Sequence, residues 1–460
     1  MTTERVLDVA VVGAGISGLA TAFWLDRAEL DVAVFEAGER VGGAMETWRR
    51  DGWLFEQGPN TVLESHTAVT DLLRDAGLDD QRLEASPAGK QRFLYKGGEL
   101  VPLPMSPPAL LTTPLFPWTA KLRRLGEPFV QRRVDEREET VADFVRRRLG
   151  RPILDYAVGP FVSGVWAGDP ERLSVDWSLP RLAELERHHG SLLRGAIASR
   201  REPKEPGKIS RPAMIGLTDG FESLARRLAE RIGDVRTGCR VAALTRQGEG
   251  KEQGLYRLEI SGGASEPVHA RRVVLATSAA AAAEILSGAT GGASALLADV
   301  PYSPVVVASL GFARSQVAHP VDGFGFLVPR VEAPRILGCL FPSSLFPGRA
   351  PEGHVALTAF LGGRTDPGVL ELDDDEIVAA ALHDLRAPLG LSGDPVVARV
   401  RRWERALPQY ELGHGRFVER VAEIERDLPD LDFAVNWLNG TSVPDCIRRA
   451  KEVACAILQC

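Results

Sequence analysis

The sequence has few of the features that mark several broad classes of protein. Its 460 residues include five cysteines and no C-x-x-C pair, which predicts reduced thiols and excludes a disulfide framework. The eight histidines are scattered along the chain, so we expect no metal site. A formal net charge of −7 gives no basic surface for nucleic acid. No apolar run is long enough to span a membrane, and the first one starts too early to follow a signal peptide. We therefore expect a cytoplasmic protein.

What is present near the N-terminus is a glycine motif, VVGAGISGLA at residues 11–20, with the spacing G-x-G-x-x-G. The apolar run before it predicts a buried parallel strand, the stretch after it predicts a helix, and a second apolar run ends in Glu36. Together these form the fingerprint of a βαβ unit that binds a dinucleotide. Gly13 allows the tight turn, Gly15 the approach of the pyrophosphate, and Gly18 the close packing of helix on strand. Glu36 accepts hydrogen bonds from ribose in this arrangement, which favours FAD or NAD over NADP.

The sequence contains one such unit and no second copy. Reductases that bind both a flavin and a nicotinamide often carry two. We therefore expect that electrons from any bound flavin pass to oxygen or a quinone rather than to NAD(P).

Residues 101–210 differ in character from the rest of the chain. Residues 101–120 place six prolines among apolar side chains, and the stretch that follows is charged and has helical spacing. The charged part predicts solvated helix faces, and residues 199–208 predict an exposed loop. The apolar part is interpreted either as a turn in the core or as a patch that meets lipid or a partner.

Eight segments of the sequence together resemble a known family. They are VVGAGISGLATAFWL, VFEAGERVGGAMET, FEQGPNT, RFLYKGGELVPLP, SGVWAGDPERLSV, DGFGFLVP, LPQYELGH and NGTSVPDCIRR, in that order. The first two are similar to the flavin oxidases of the amine-oxidase superfamily as a whole. The later ones are similar, more specifically, to the protoporphyrinogen oxidases of haem biosynthesis.

The resemblance implies an α/β fold with three parts. These are a Rossmann-like FAD-binding domain, a mixed-sheet substrate domain and a helical, membrane-facing domain. The expected bounds are 1–75, 211–295 and 405–460 for the first, 76–100 and 296–404 for the second, and 101–210 for the third.

The resemblance also implies how FAD is held. The glycine motif would hold the pyrophosphate and Glu36 the ribose, Val241 would meet the adenine through its backbone, and the N-terminus of the last helix would face the flavin. Cys446 lies in PDC rather than in a motif for covalent attachment, so the FAD is expected to be non-covalent. The cofactor-binding residues implied are Gly13, Ala14, Gly15, Ile16, Ser17, Gly18, Glu36, Ala37, Arg40, Gly43, Ala44, Gly58, Pro59, Asn60, Thr61, Val241, Trp403, Thr441, Ser442 and Val443.

The implied reaction is oxidation of protoporphyrinogen IX to protoporphyrin IX with molecular oxygen as the acceptor. Arg92 is the candidate for gripping a propionate, because a guanidinium fork matches a carboxylate. No side chain is assigned as a catalytic acid or base. The residues expected to orient or sandwich the macrocycle are Asn60, Phe324, Leu327, Leu340 and Phe360. A peripheral membrane contact and a homodimer are left open as further partners.

Several alternatives remain open. A coproporphyrinogen III oxidase of the same fold would act on four propionates in place of two. A carotenoid desaturase or an amine oxidase fits the porphyrinogen-type motifs less well. A non-catalytic flavoprotein that binds porphyrin is suggested by Val435, which stands where the family usually has a glycine whose backbone approaches FAD.

Overall fold

A computed structural model describes residues 5–104, 106–133, 137–199, 206–248, 254–262 and 266–459 of the protein, and the elements in them form an α/β fold. The strands are β1 (Val6–Val12), β2 (Val32–Phe35), β3 (Thr47–Arg50), β4 (Trp53–Glu56), β5 (Val62–Leu63), β6 (Arg82–Glu84), β7 (Phe93–Lys96), β8 (Glu99–Pro102), β9 (Met214–Leu217), β10 (Val235–Arg236), β11 (Arg240–Arg246), β12 (Tyr256–Ser261), β13 (Val268–Leu275), β14 (Tyr302–Ala313), β15 (Gly325–Leu327), β16 (Gly338–Leu340), β17 (His354–Gly362), β18 (Val397–Pro408) and β19 (Leu431–Phe433). The helices are α1 (Ile16–Asp26), α2 (Thr67–Ala76), α3 (Pro107–Thr112), α4 (Trp118–Leu125), α5 (Val141–Arg148), α6 (Arg151–Ile153), α7 (Gly159–Trp166), α8 (Val175–Ser178), α9 (Pro180–His189), α10 (Leu192–Ala198), α11 (Glu222–Ile232), α12 (Ala279–Leu286), α13 (Pro342–Leu345), α14 (Asp374–Leu389), α15 (Gly415–Asp427) and α16 (Val443–Leu458).

The first sheet has the order β10-β2-β1-β13-β12-β11, with β19 also paired to β13. The strands β10, β2, β1, β13 and β19 run parallel, and β12 and β11 add an antiparallel edge. Along β1, Val9 and Val11 face one core cluster while Leu7 and Ala10 face another. Because both faces are covered, β1 is apolar at nearly every position, and the prediction of a buried parallel strand is confirmed.

The second sheet is mixed and has the order β18-β14-β17-β16-β15-β7-β8. One of its faces packs against α14, as in the cluster that contains Leu310, Leu357 and Leu385. The hairpin β7–β8 joins the sheet through a parallel pairing of β7 with β15, which brings residues near 93 beside residues near 326. The predicted mixed sheet is therefore confirmed, and Arg92 lies immediately before β7, the second strand from that end of the sheet.

The described residues between 107 and 198 form short helices around a hydrophobic cluster that also includes Leu94 and Tyr410. In the stretch predicted as solvated helix, Arg148 is instead fully buried, and its guanidinium pairs with Glu127 at 3.1 Å and with Glu186 at 2.5 Å. This part of the prediction is wrong because a buried arginine is accommodated where two carboxylates meet it. In the predicted loop 199–208, residues 200–205 lie outside the described residues.

The predicted domain bounds stay a prediction. The strand β18 runs through the expected boundary between residues 404 and 405, so the second sheet continues into the segment assigned to the cofactor domain. In the part of the chain that the structure describes, none of the helices has both the length and the apolar character needed to cross a bilayer.

Candidate cofactor and substrate site

The glycine motif forms a cradle at the carboxyl end of β1. Gly13 has φ 104, and a Cβ on it would lie 2.6 Å from the carbonyl oxygen of Ala276. A Cβ on Gly18 would lie 2.0 Å from the carbonyl oxygen of Gly13, so α1 and β1 pack at backbone distance. A Cβ on Gly15 would meet nothing within 4 Å. The structure thus explains Gly13 and Gly18 through the protein's own packing, whereas Gly15 borders open space.

Two helix N-termini converge on this cradle. α1 begins after Gly15, and no side chain caps its first turn, so its free N–H groups are available to an anion. α16 begins after Ser442, whose side chain forms a capping box with Asp445, and α16 packs along α1 with Ser17 beside Cys446. Thr441, Ser442 and Val443 therefore lie near the start of α1, and their contacts to a flavin stay a prediction. The donor set fits the phosphates of a dinucleotide.

Glu36 faces the cradle from the end of β2. Its carboxylate accepts one hydrogen bond from the Ala14 N–H and one from the Gly38 N–H, each at 2.8 Å. Its backbone carbonyl accepts from the N–H of Cys239, which leads into β11. Val241 follows two residues later on β11, and its side chain packs in the same cluster as Phe35, the residue before Glu36. Glu36, the exposed Ala37 and Val241 are placed together, and their contacts to ribose and adenine stay predictions.

The loop after Glu36 lies against the glycine motif. The Gly42 N–H donates to the Ala14 carbonyl at 2.7 Å, and a Cβ on Gly43 would lie 3.2 Å from the Cα of Gly15. The Arg40 guanidinium donates to three loop carbonyls, those of Val41, Gly43 and Met45. Arg40 therefore fixes the path of this loop, and the absence of a side chain at Gly43 lets the loop approach Gly15 at backbone distance.

A third segment, from Gly58 to Thr61, meets that loop at Ala44. A Cβ on Gly58 would lie 1.9 Å from the Ala44 carbonyl oxygen, so glycine is required by packing alone. The Asn60 side chain donates to the Gly58 carbonyl at 3.0 Å, which is the behaviour of a turn residue. Pro59 lies between them. The Trp403 indole on β18 donates to the Gln57 carbonyl at 2.6 Å and joins the second sheet to this turn.

Sequence reasoning missed three side chains at this junction. Gln57 is fully buried, its amide nitrogen lies 3.2 Å from the Ser309 hydroxyl, and its amide oxygen has no partner among the described residues. Glu46 and Arg401 form an ion pair at 2.9 Å beside it. Gln57 and Glu46 lie in the segments FEQGPNT and VFEAGERVGGAMET but were given no role there, and Arg401 lies in none of the segments, because the junction exists only once β18 is paired into the second sheet.

The second sheet presents a flat, half-buried shelf next to this junction. Cross-strand pairing sets Leu327, Gly338 and Phe360 in one row, and Gly325 and Leu340 in the next row on the same face. The side chains of Leu327, Leu340 and Phe360 are each partly exposed. Gly325 and Gly338 carry no side chain, so nothing projects from the face at these two positions. Four of the predicted substrate residues, Phe324, Leu327, Leu340 and Phe360, therefore lie on or beside one apolar surface.

The shelf has a helix at one side and a cation at its edge. A Cβ on Gly164 of α7 would lie 2.3 Å from Leu327, so α7 packs closely over the shelf. The exposed Arg92 lies at the start of β7 with its guanidinium 5.1 Å from the Phe324 ring centre. Among the described residues, no carboxylate pairs with Arg92. An apolar surface with one unpaired arginine at its edge suits a flat molecule with an acidic substituent.

Val435 does not enter the cradle. Its side chain is buried in the cluster that contains Phe433 and Trp437, and the Trp437 indole donates to the Thr277 carbonyl at 3.0 Å. The bulk added by Val435 is therefore taken up by the core. Among the described residues, no group of three His, Cys, Asp or Glu side chains is placed to hold a metal ion.

A buried acid lies directly before Gln57. Glu56 accepts hydrogen bonds from the Thr47 hydroxyl at 2.7 Å and from the Phe221 N–H at 2.9 Å. Burial raises its pKa from 4.5 to about 7, although Arg349 and the hydrogen bonds oppose the rise. Burial also lowers the pKa of Arg349. The electrostatic attraction between Glu56 and Arg349 thus offsets only part of the cost of burying the two charges.

Glu56→Gln is expected to stabilise the fold more at pH 8 than at pH 5. The folded protein binds the Glu56 proton more tightly than the unfolded chain does, so protonation of Glu56 stabilises the wild type. This contribution to the free energy of unfolding is complete below pH 4.5 and is lost as the pH rises through 7. The glutamine never ionises, and its advantage over the wild type should grow by about 3 kcal/mol across that range. Thermal unfolding at both pH values tests this, with exposed Glu84→Gln as control. An equal effect at both pH values would contradict the assignment.

Comparison with known proteins extends over almost the whole chain. A family model described as flavin containing amine oxidoreductase matches residues 16–458. Protoporphyrinogen oxidase 2, chloroplastic/mitochondrial, of Arabidopsis thaliana is 30% identical over 460 residues, covering 95% of this chain and 90% of that protein. Coproporphyrinogen III oxidase of Bacillus subtilis (strain 168) is 28% identical and covers 96% of each chain. A crystal structure of a provisionally named protoporphyrinogen oxidase of Exiguobacterium sp. 255-15 matches over both full chains with a TM-score of 0.81 and 26% identity.

Proposed function

The chain belongs to the flavin-containing amine oxidoreductases, and on that premise we propose that it oxidises protoporphyrinogen IX to protoporphyrin IX with non-covalent FAD as cofactor and oxygen as acceptor. The observation that carries the substrate assignment is the shelf. Phe360, at one end of the shelf, packs with Trp403 of β18 beside the cofactor loops, and Arg92, which has no paired carboxylate among the described residues, lies at the other end next to Phe324. A flat tetrapyrrole with acidic substituents matches that surface, and relatives named for porphyrinogens match the whole chain.

FAD fits the cradle that the chain provides. The uncapped start of α1, the open space at Gly15 and the carboxylate of Glu36 would hold its phosphates and ribose. The start of α16 would direct a positive dipole end toward the flavin ring. When bound, FAD supplies a two-electron acceptor, and three such oxidations remove the six hydrogens that separate a porphyrinogen from a porphyrin.

The protein's own contribution is placement of the substrate. Leu327, Leu340 and Phe360 provide an apolar surface that holds the macrocycle flat, and Arg92 fixes one propionate so that a bridge carbon is held at the cofactor loops. Proton loss from the pyrrole nitrogens needs no dedicated base, because formation of the aromatic product favours the reaction. Oxygen as acceptor is supported by the single dinucleotide motif in the sequence.

The assay that tests the assignment compares protoporphyrinogen IX with coproporphyrinogen III, each incubated aerobically with the protein and FAD. Appearance of porphyrin fluorescence reports turnover, and hydrogen peroxide per porphyrin reports the acceptor. A higher kcat/KM for the first substrate is expected. Preference for the second would assign the coproporphyrinogen reaction, which the relative from Bacillus subtilis favours. Binding of porphyrin by colourless protein, without turnover, would identify a carrier.

The FAD is expected to leave the protein on denaturation. Cys446 lies in the first turn of α16 beside the cradle, and burial raises the pKa of its thiol to about 11, so little reactive thiolate forms near neutral pH. Heating the holoprotein and removing the precipitate should leave all the yellow colour in solution. Colour that stays with the precipitate would contradict non-covalent binding.

We also propose that the helical region contacts a lipid surface through an apolar face. The face is defined by Trp118, Leu122, Phe129, Leu193 and Ile197, of which Trp118 is 67% and Phe129 82% exposed. Trp118 and Leu122 share one side of α4, and α4 and α10 both contact the turn that carries Phe129. Lys121 lies 4.5 Å from the Trp118 ring centre and adds a cation beside the face. Apolar side chains flanked by a cation suit the interface of an anionic bilayer.

Replacing Trp118 and Phe129 together by serine should lower binding to vesicles of mixed neutral and anionic lipid at least about tenfold, because burial of each side chain contributes roughly 1.5–3 kcal/mol. Co-sedimentation measures the binding. The control replaces Val331 and Val396, which are 52% and 58% exposed elsewhere on the molecule. Equal binding by both double variants would remove the face from the contact. A dimer in solution that the first variant abolishes would assign the face to a second copy of the chain.

A further inference from the structure

A cluster of three charged residues lies where the cofactor loops meet the second sheet. Arg401 on β18 pairs with Glu46 at 2.9 Å, and Glu46 also pairs with Arg40 at 3.4 Å. The Arg401 guanidinium lies 4.3 Å from the centre of the Trp403 ring, on the same side of β18. The three side chains carry a net charge of +1, since one carboxylate serves two guanidinium groups.

Hydrogen bonds connect the cluster to both loops that are expected to lie beside the flavin ring. The Glu46 carbonyl accepts from the Gln57 N–H at 2.8 Å, and the Gln57 carbonyl accepts from the Trp403 indole at 2.6 Å. Gln57 precedes Gly58, and Glu46 follows Ala44 by two residues, so the cluster lies at the point where these two loops touch. Arg401 is thus held against the cofactor side of the junction.

The protein satisfies only part of the hydrogen-bonding capacity of the Arg401 guanidinium. Its Nε is buried, with no hydrogen-bond acceptor among the described residues, while 36% of the side chain stays exposed. Arg40 differs, because three loop carbonyls accept from its guanidinium. Arg401 is therefore the member of the cluster with a donor and a charge left for another group.

We propose that Arg401 is a positioning residue that sets the reduction potential of the bound flavin. A fixed cation in a partly water-excluded cleft stabilises the negative charge that a flavin gains on reduction, which favours the reduced form over the oxidised one. Glu46 moderates this effect, because it neutralises part of the charge and holds the guanidinium in place. The inference rests on the flavin binding proposed above. It gives Arg401 a role that does not depend on contact with the substrate.

The test is an equilibrium redox titration of the purified holoprotein against a reference dye, followed by flavin absorbance. Arg401→Gln should lower the preference for reduced over oxidised flavin about tenfold, which for a two-electron couple is a fall of about 30 mV. Glu46→Gln should shift the potential the opposite way, and Arg401→Lys, which keeps the charge, should stay near the wild type. The flavin-to-protein ratio is measured for each variant.

Arg402→Gln is the matched control. Arg402 is the next residue on β18 and points to the other face, where it pairs with Asp374 and donates to the Leu372 carbonyl at 2.6 Å. Its potential should equal that of the wild type. Equal potentials for Arg401→Gln and Arg402→Gln, or shifts of the same sign for Arg401→Gln and Glu46→Gln, would overturn the inference. An unchanged potential with a raised KM for porphyrinogen would make Arg401 a substrate contact instead. A wild-type protein that binds no flavin would overturn the proposed function itself.

Discussion

Gly15→Ala is expected to weaken FAD binding at least about tenfold, or about 1.4 kcal/mol, without lowering the stability of the apoprotein. Gly15 has φ −72 and ψ 176, a conformation that alanine adopts freely, and an added Cβ would meet no protein atom within 4 Å. Neither backbone strain nor packing therefore requires glycine here. The space that the Cβ would occupy is the space in which the pyrophosphate is expected to approach the backbone.

Fluorescence titration of the apoprotein with FAD measures the affinity, and thermal unfolding measures the stability. Gly368→Ala is the matched control, since a Cβ there also meets nothing within 4 Å and the position is remote from the cradle. Gly18→Ala should behave in the opposite way and destabilise the fold, because its Cβ would lie 2.0 Å from the Gly13 carbonyl oxygen. Unchanged FAD affinity in Gly15→Ala would show that the cofactor does not use this space.

Arg92→Ala should raise the KM for porphyrinogen about 10- to 100-fold, a loss of roughly 1.4–2.8 kcal/mol, with the FAD content unchanged. The expected effect is smaller than for a fully buried charge pair because Arg92 is exposed at the edge of the shelf. Substrate binding covers the guanidinium and strengthens its interaction with a propionate. Arg92→Lys should recover part of the loss, because a lysine keeps the charge without the planar fork.

Steady-state kinetics with porphyrin fluorescence as the readout test this prediction. Arg240→Ala is the control. Arg240 lies on β11 of the first sheet and is similarly exposed, but its guanidinium pairs with Glu284 of α12. A KM for Arg92→Ala that equals the wild-type value would exclude Arg92 from the substrate site. A fall in FAD content would instead assign Arg92 a structural role in the second sheet, where it lies against Phe324.

The sequence predicts the cradle well because its determinants are local. Strand, glycine turn, helix and acid follow one another within residues 6–36, and each carries its own pattern of glycine and apolar residues. The junction around Gln57, Glu46 and Arg401 could not be predicted in this way. Arg401 lies more than three hundred residues after Glu46 and Gln57 in the sequence. Only the pairing of β18 with β14 brings it to them.

Val435 is a second case in which a local sequence pattern does not predict the structure of the site. A motif comparison counts it as a departure next to the cofactor, whereas the direction of its side chain depends on how β19 and the residues after it pack on the first sheet. In the fold that side chain enters the core with Phe433 and Trp437. Side-chain direction at a loop is a property of the assembled sheet, and no local pattern reports it.

The meeting of α1 and α16 also determines when the protein can acquire its cofactor during synthesis. Ser17 in α1 and Cys446 in α16 lie far apart in the sequence, yet the two helices pack against each other beside the phosphate cradle. A chain still on the ribosome has the glycine motif early but lacks the helix that completes the cradle. On the proposed function, flavin loading would therefore wait for α16, and a product truncated before α16 should hold flavin far more weakly than the protein that contains both helices.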